Sequence, residues 1–161
     1  MKRDTGDVTL SAFRRVAAPL LVQLACAHSG PAAPESPAPP STEVTFQLEG
    51  GIAGRIQRLE VGPEGELTLW NRDVATGTGQ LDAPTLDRLH SLVDSAAFRA
   101  LLPRYVPENT CCDRYSYTVR VRRADGEQAV STLDGAAWPP PLGEAIQLLN
   151  EARNQCQAPL R

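Results

Sequence analysis

Histidine is nearly missing from this 161-residue chain, which carries only His28 and His90. No H-E-x-x-H pair, nucleophile elbow or glycine-rich phosphate loop occurs either, so the usual hydrolase and nucleotide-binding signatures are absent. A lone His90 has no ligand partner one helical turn away and reads as a boundary residue of a helix. Carboxylates are plentiful, but no spacing selects two that would face one another across a cleft. The chain therefore reads as non-enzymatic, with no cofactor and no metal site. It also lacks a run of Lys or Arg, and its formal charge is −3. That balance gives no support for nucleic-acid binding. No internal repeat is visible, and no apolar run is long enough to span a bilayer as a helix.

What is present begins with a segment that does not read as fold. Lys2, Arg3, Arg14 and Arg15 give a basic start, and Val16 to Ala27 is a short, mostly apolar run. Residues 1–27 thus resemble a signal peptide or a lipoprotein signal. Two processing readings compete. Ala25-Cys26-Ala27 fits ordinary small-x-small cleavage, which would leave His28 first. Leu24-Ala25-Cys26 instead resembles a degenerate lipobox, with Cys26 as lipidation candidate and membrane attachment point; Gln23 departs from the usual aliphatic residue there. Either reading implies an extracytoplasmic protein, lipid-anchored to a bacterial membrane or secreted. Without residues 1–27 the chain has 12 basic and 17 acidic residues, a formal charge of −5.

Residues 28–42 form a Pro/Ala-rich linker that includes Pro31, Pro34, Pro37, Pro39 and Pro40. Such a segment buries no core and favours extended conformations of about 3.1 Å per residue, a reach of roughly 40 Å. Residues 43–161 are then one domain by length.

Within that domain Val44, Phe46 and Leu48 alternate with polar residues, which predicts a half-buried strand. Arg55–Val61 and Glu66–Asn71 predict two more, separated by the Pro63-Glu64-Gly65 turn. Asp82 is a good N-cap for a helix with Pro84 in its first turn. Leu86, Leu89, Leu92, Val93 and Ala96 then recur at helical spacing, and Phe98, Leu101 and Leu102 continue the packing. Tyr115, Tyr117, Val119 and Val121 alternate as a fourth strand, and Asp125-Gly126 turns the chain into a fifth, Glu127–Leu133. A last helix runs to about Gln155 with Leu142, Ile146 and Leu149 as its buried stripe. The expectation is an α+β domain, an antiparallel sheet of about five strands on two main helices, in the order βββ-α-ββ-α.

Between the first two strands lies Glu49-Gly50-Gly51-Ile52-Ala53-Gly54. Three glycines in five positions imply positive φ angles or a backbone that something else approaches closely. Ile52 is the only bulky side chain there. Two readings stay open: a loop that presents Ile52 to a partner, or a tight hairpin with Ile52 turned into the core.

Cys111, Cys112 and Cys156 are the disulfide candidates of the domain. A bridge from Cys156 to Cys111 or Cys112 is favoured if the loop before the last helix crosses the sheet. A vicinal Cys111–Cys112 bond and free thiols are the rivals. A metal site from Cys111, Cys112, Asp113 and Cys156 is disfavoured, because adjacent cysteines chelate one ion poorly.

Taken together, Glu49-Gly50-Gly51-Ile52-Ala53-Gly54, Asp113-Arg114-Tyr115-Ser116-Tyr117-Thr118-Val119 and the Pro140-Pro141-Leu142 helix start resemble the emfourin family over residues 43–155. The resemblance implies a protealysin inhibitor that blocks thermolysin-like zinc metallopeptidases, with Gly50, Gly51, Ile52, Ala53 and Gly54 as the protease-binding loop. Ile52 would fill the enzyme's pocket for a bulky apolar residue just after the scissile bond. The export signal, the linker and the Cys111-Cys112 pair are departures from the family pattern. They leave a second function open, a non-inhibitory envelope lipoprotein or adaptor domain that uses the same scaffold to bind protein.

Overall fold

A computed structural model describes residues 42–157. The signal segment 1–27 with Cys26, and the linker up to residue 41, lie outside the described residues. Thr42, the last residue of the expected linker, is buried, and its hydroxyl is 3.5 Å from Asp94 Oδ2.

Five strands form where alternation predicts them: β1 Glu43–Gly50, β2 Arg55–Val61, β3 Glu66–Asn71, and, later in the chain, a long pair at Tyr115–Arg123 and Gly126–Leu133. Two further strands raise the sheet to seven, correcting the expectation of five. β4, Val74–Gln80, follows β3 through a two-residue turn, and β5, Arg104–Tyr105, precedes the long pair, which is therefore β6 and β7. β4 escapes a hydrophobic reading because the positions of Val-Ala-Thr-Gly-Thr-Gly-Gln that face α3 are Gly77 and Gly79, which carry no side chain to show a period of two. Its ladder to β3 and the end of α3 packed on those glycines define it. β5 is too short for any periodicity.

The strand order is β4-β3-β2-β1-β6-β7-β5, antiparallel throughout except for the β5–β7 pair. Alternation puts Val44, Phe46, Leu48, Leu59, Val61, Leu67, Leu69, Val119, Val121 and Val130 on one face, all buried. Where it is not polar or charged, the opposite face shows Ile56 and Trp70, both half-buried. There Trp70 donates to Glu60 at 2.8 Å while Arg58 lies 5.0 Å from the Trp70 ring centroid.

The helices cover the apolar face. α1, Ala83–Asp94, starts at Asp82, whose side chain accepts from Thr85 N at 2.8 Å. It ends at Asp94, two residues short of the last periodic position, Ala96, because Ser95 stops it and caps a short α2, Ala96–Arg99. Phe98 is fully buried as expected, whereas Ala96 and Leu102 face solvent. α3, Pro140–Gln157, buries Leu142, Ala145, Ile146, Leu148, Leu149 and Ala152 and contacts β3, β4, β6 and both other helices. Among the described residues no helix is long and apolar enough to cross a membrane, and no group of His, Cys, Asp and Glu is placed to hold a metal ion.

Candidate binding site

The β1–β2 hairpin carries the site. Its turn is closed by a hydrogen bond from Gly54 N to Gly51 O at 2.9 Å, which makes Ile52 and Ala53 the two central residues. Ile52 is 91% exposed and Ala53 and Gly54 are exposed beside it. The core-facing reading of Ile52 is thereby excluded. Leu48 is the last residue of β1 in the core, and the turn lies past the paired ends of β1 and β2.

The three glycines do different work. Gly50, Gly51 and Gly54 all have positive φ, at 113°, 72° and 55°. Gly50 admits the backbone carbonyl of Arg114, which sits where a Cβ would need to be. Gly51 admits the Tyr115 ring, whose Cζ and hydroxyl lie 2.7 Å from that hypothetical atom. Gly54 meets nothing on its open side. Two of the bare positions are thus consumed internally, as docking points for the start of β6.

Arg114 is the centre of that support. Its carbonyl accepts from Gly51 N at 3.4 Å, its Nε donates to Cys111 O at 3.0 Å, and its Nη1 donates to Asp134 O at 2.6 Å. Asp134 also accepts from Tyr115 N at 3.1 Å and donates its own N–H to Tyr115 O at 2.9 Å. Gly135 has φ 81° and leaves room for the Arg114 guanidinium. Three turns, 50–54, 111–114 and 133–136, are so tied at one end of the sheet. Leu48 anchors the stem in the core at 4% exposure. Ile56 does not share that role, since it alternates with Leu59 and lies half-buried on the opposite face.

Below the turn the helix-facing side is aromatic. Tyr117 stacks on Phe46 with ring centroids 6.3 Å apart and meets Trp138 edge-on at 5.5 Å. Burial, followed by a hydrogen bond to Asp134, pushes the Tyr117 hydroxyl up to about 12. On the opposite face an open groove of about 420 Å³ runs beside the loop, lined by Glu49, Gly50, Gly54, Arg55, Ile56, Arg114 and Ser116.

The cysteines pair differently from the favoured expectation. Cys111 and Cys112 are bonded to each other, and Cys156 is free. Instead of ending near Cys111, α3 crosses the sheet toward β4, where Cys156 Sγ is 3.3 Å from a hypothetical Cβ on Gly79. Three strands separate β4 from β6, too far for a disulfide. Burial raises the Cys156 thiol above its ordinary value.

The emfourin family model matches residues 67–150, just over half of the chain. The chain belongs to the emfourin family. Emfourins are non-enzymatic inhibitors of protealysin-type metallopeptidases. No curated protein matches the chain. In this emfourin the matched region starts at β3 and ends in α3, so it includes Arg114, Tyr115 and Asp134 but not the 50–54 turn. β1 and β2 belong to the same sheet, between β3 and β6. Hydrophobic patterning gives the supporting residues Arg114 and Asp134 no role, since neither belongs to a buried stripe. A cation just ahead of a strand and an Asp-Gly pair just after the next one are the signal that points to them.

Proposed function

We propose that this emfourin is an extracytoplasmic inhibitor of thermolysin-like zinc metallopeptidases that occupies the active-site cleft with residues 50–54. The observation that carries the reading is the exposure of Ile52, 91%, on a turn whose stem is held by Arg114 and Tyr115. Thermolysin-like enzymes take a bulky apolar side chain just after the scissile bond, and Ile52 supplies one. The bond presented for attack is then Gly51–Ile52. The Gly51 carbonyl is held inside the turn by Gly54 N–H, which opposes its rotation toward a catalytic zinc. A rigid loop also loses less entropy on binding than a flexible peptide substrate.

Burying one Ile contributes about 1.5–3 kcal/mol, well short of tight binding. A standard interface of roughly 1,600 Å² needs neighbouring contacts. The strand directions put Val74, 65% exposed at the start of β4, and Val106, 47% exposed just after β5, at the same end of the sheet as Ile52. Both are available to widen the contact.

The same proposal includes export by residues 1–27, through cleavage after Ala27 or lipidation of Cys26, and a 28–42 linker that carries the domain away from its attachment. Mass spectrometry of the mature N-terminus distinguishes a diacylated Cys26 from a free His28.

Titration of the purified chain against a thermolysin-like peptidase tests the inhibitory reading. Stoichiometric loss of activity is expected for the parent and not for Ile52→Asp. Full peptidase activity at micromolar parent chain sinks inhibition of that enzyme and leaves the adaptor reading. Equal potency of Ile52→Asp sinks only the anchoring role of Ile52.

A further inference from the structure

We infer that Cys111 and Cys112 form a reversible thiol–disulfide exchange site, with a dithiol as co-reactant, whose oxidation state sets the rigidity of the 50–54 loop. The consequence for inhibition rests on the function proposed above; the coupling between the cysteine pair and the loop does not.

The bond joins neighbours in sequence, so it closes no chain loop. The stabilisation a disulfide gives by restricting the unfolded chain grows with loop length, and here it is at its smallest. As a staple for the fold the bond therefore does little, and its effect is local. Cys111 and Cys112 are both exposed, within reach of a reductant. Cys112 has φ 77°, one of two non-glycine residues with positive φ among the described residues. An L side chain adopts that conformation only when its surroundings impose it. The ring formed with Cys111 imposes it here.

The imposed turn aims two carbonyls at one residue. Cys112 O accepts from Arg114 N at 2.7 Å, and Cys111 O accepts from Arg114 Nε at 3.0 Å. Asn109 Oδ1 holds the start of the same turn by accepting from Cys111 N at 2.9 Å. Arg114 in turn seats its own carbonyl against Gly50 and Gly51. The path from the disulfide to the loop is one residue long.

In the exchange, a thiolate of the dithiol attacks one Sγ, and the other sulfur leaves as a thiolate and takes up a proton. The second thiol of the reductant then attacks the mixed disulfide, releasing the second cysteine as a thiol. Two electrons pass from the dithiol to the Cys111–Cys112 pair, and the dithiol ends as a disulfide. Reduction frees Cys112 to return to negative φ. Its carbonyl and that of Cys111 then turn away from Arg114, whose side chain keeps only its bond to Asp134 O, and the seat of Gly50 and Gly51 loosens.

Trypsin releases Tyr105–Arg114 as one peptide carrying both cysteines, so alkylation and mass spectrometry read the state of the bond in the full chain. Hydrogen exchange across residues 50–54 is then compared in three samples: the oxidised chain, the chain reduced with dithiothreitol, and Cys111→Ser/Cys112→Ser without reductant. Exchange in 50–54 is expected to accelerate about tenfold in the last two, with the β6–β7 ladder unchanged. Reoxidation restores the slow rate, and Cys156→Ser responds like the parent. Inhibition by the double serine variant, measured without dithiothreitol because a dithiol also binds zinc, is expected to weaken about tenfold. Equal exchange in 50–54 with the bond shown to be broken overturns the proposal, as does a parent peptide that is alkylated without reductant. If the oxidised chain inhibits no thermolysin-like peptidase, the inhibitor reading fails and the exchange comparison still decides the switch.

Discussion

The Tyr115 ring lies flush against the backbone of Gly51: a Cβ there would stand 2.7 Å from the Tyr115 hydroxyl and Cζ. The first residue of β6 thereby props the loop that displays Ile52. The glycines of the loop read as bare toward a partner, yet on one side they are already occupied by the protein itself. What stays open is the Ile52–Gly54 side of the turn.

That asymmetry ranks three substitutions. Gly50→Ala and Gly51→Ala each add a clash with Arg114 O or the Tyr115 ring to an unfavourable positive φ. Each is expected to cost about 2–4 kcal/mol. Gly54→Ala meets no neighbour and is expected to cost about 1 kcal/mol for its φ alone. Urea unfolding of the three variants checks the order; a Gly54→Ala effect as large as that of Gly51→Ala contradicts it.

Two apolar side chains on the same strand pair should behave oppositely. Phe46, 1% exposed, is expected to lose about 3–5 kcal/mol on truncation to Ala. Ile52→Asp is expected to change stability by no more than about 0.5 kcal/mol, since Ile52 is in solvent. Thermal unfolding of both variants reads the contrast, and a destabilised Ile52→Asp would mean that the loop packs in solution.

Arg123 holds the C-terminal end of α1 to the sheet. Its side chain is 7% exposed; Nε donates to Asp94 Oδ1 at 2.7 Å, and Nη2 donates to the Val93 carbonyl. Asp94 is 40% exposed and keeps much of its hydration. Arg123→Ala is therefore expected to cost about 1–3 kcal/mol, less than the loss of a fully buried pair. Denaturant titration measures it, and a shift below half a kilocalorie would show that the bonds are idle.

Alkaline stability should carry the signature of Tyr117. Its hydroxyl ionises near 10 when unfolded and at about 12 when folded, so the unfolded chain loses its proton first. The contribution is complete below about pH 10 and disappears as pH rises toward 12. Unfolding free energy measured from pH 9 to 12 is expected to fall less steeply in Tyr117→Phe than in the parent. Identical slopes would remove Tyr117 from the alkaline transition.

Five of the strands and both main helices are legible in the sequence because each has one face in the core. Burial of one face writes a period of two into Val44-Phe46-Leu48 and a helical period into Leu142-Ile146-Leu149. β4 is invisible by the same logic, since its face toward α3 is carried by Gly77 and Gly79, which have no side chain to alternate. The break after Asp94 has a local signal, Ser95 as a cap, but the apolar spacing runs through it and masks it.

The loop was legible as a loop, and Ile52 as its only bulky side chain, from glycine content alone. Local composition carries such facts because backbone freedom and side-chain size are properties of the residues themselves. Whether Ile52 faces solvent, what the glycines make room for, and which cysteine pairs with which depend on contacts between segments far apart in the chain. Arg114 meets Gly50 across 64 positions, and α3 carries Cys156 to β4 rather than to β6. Those pairings arise only when the sheet order and the path of α3 are set by burial of the whole core, and no short stretch of sequence encodes them.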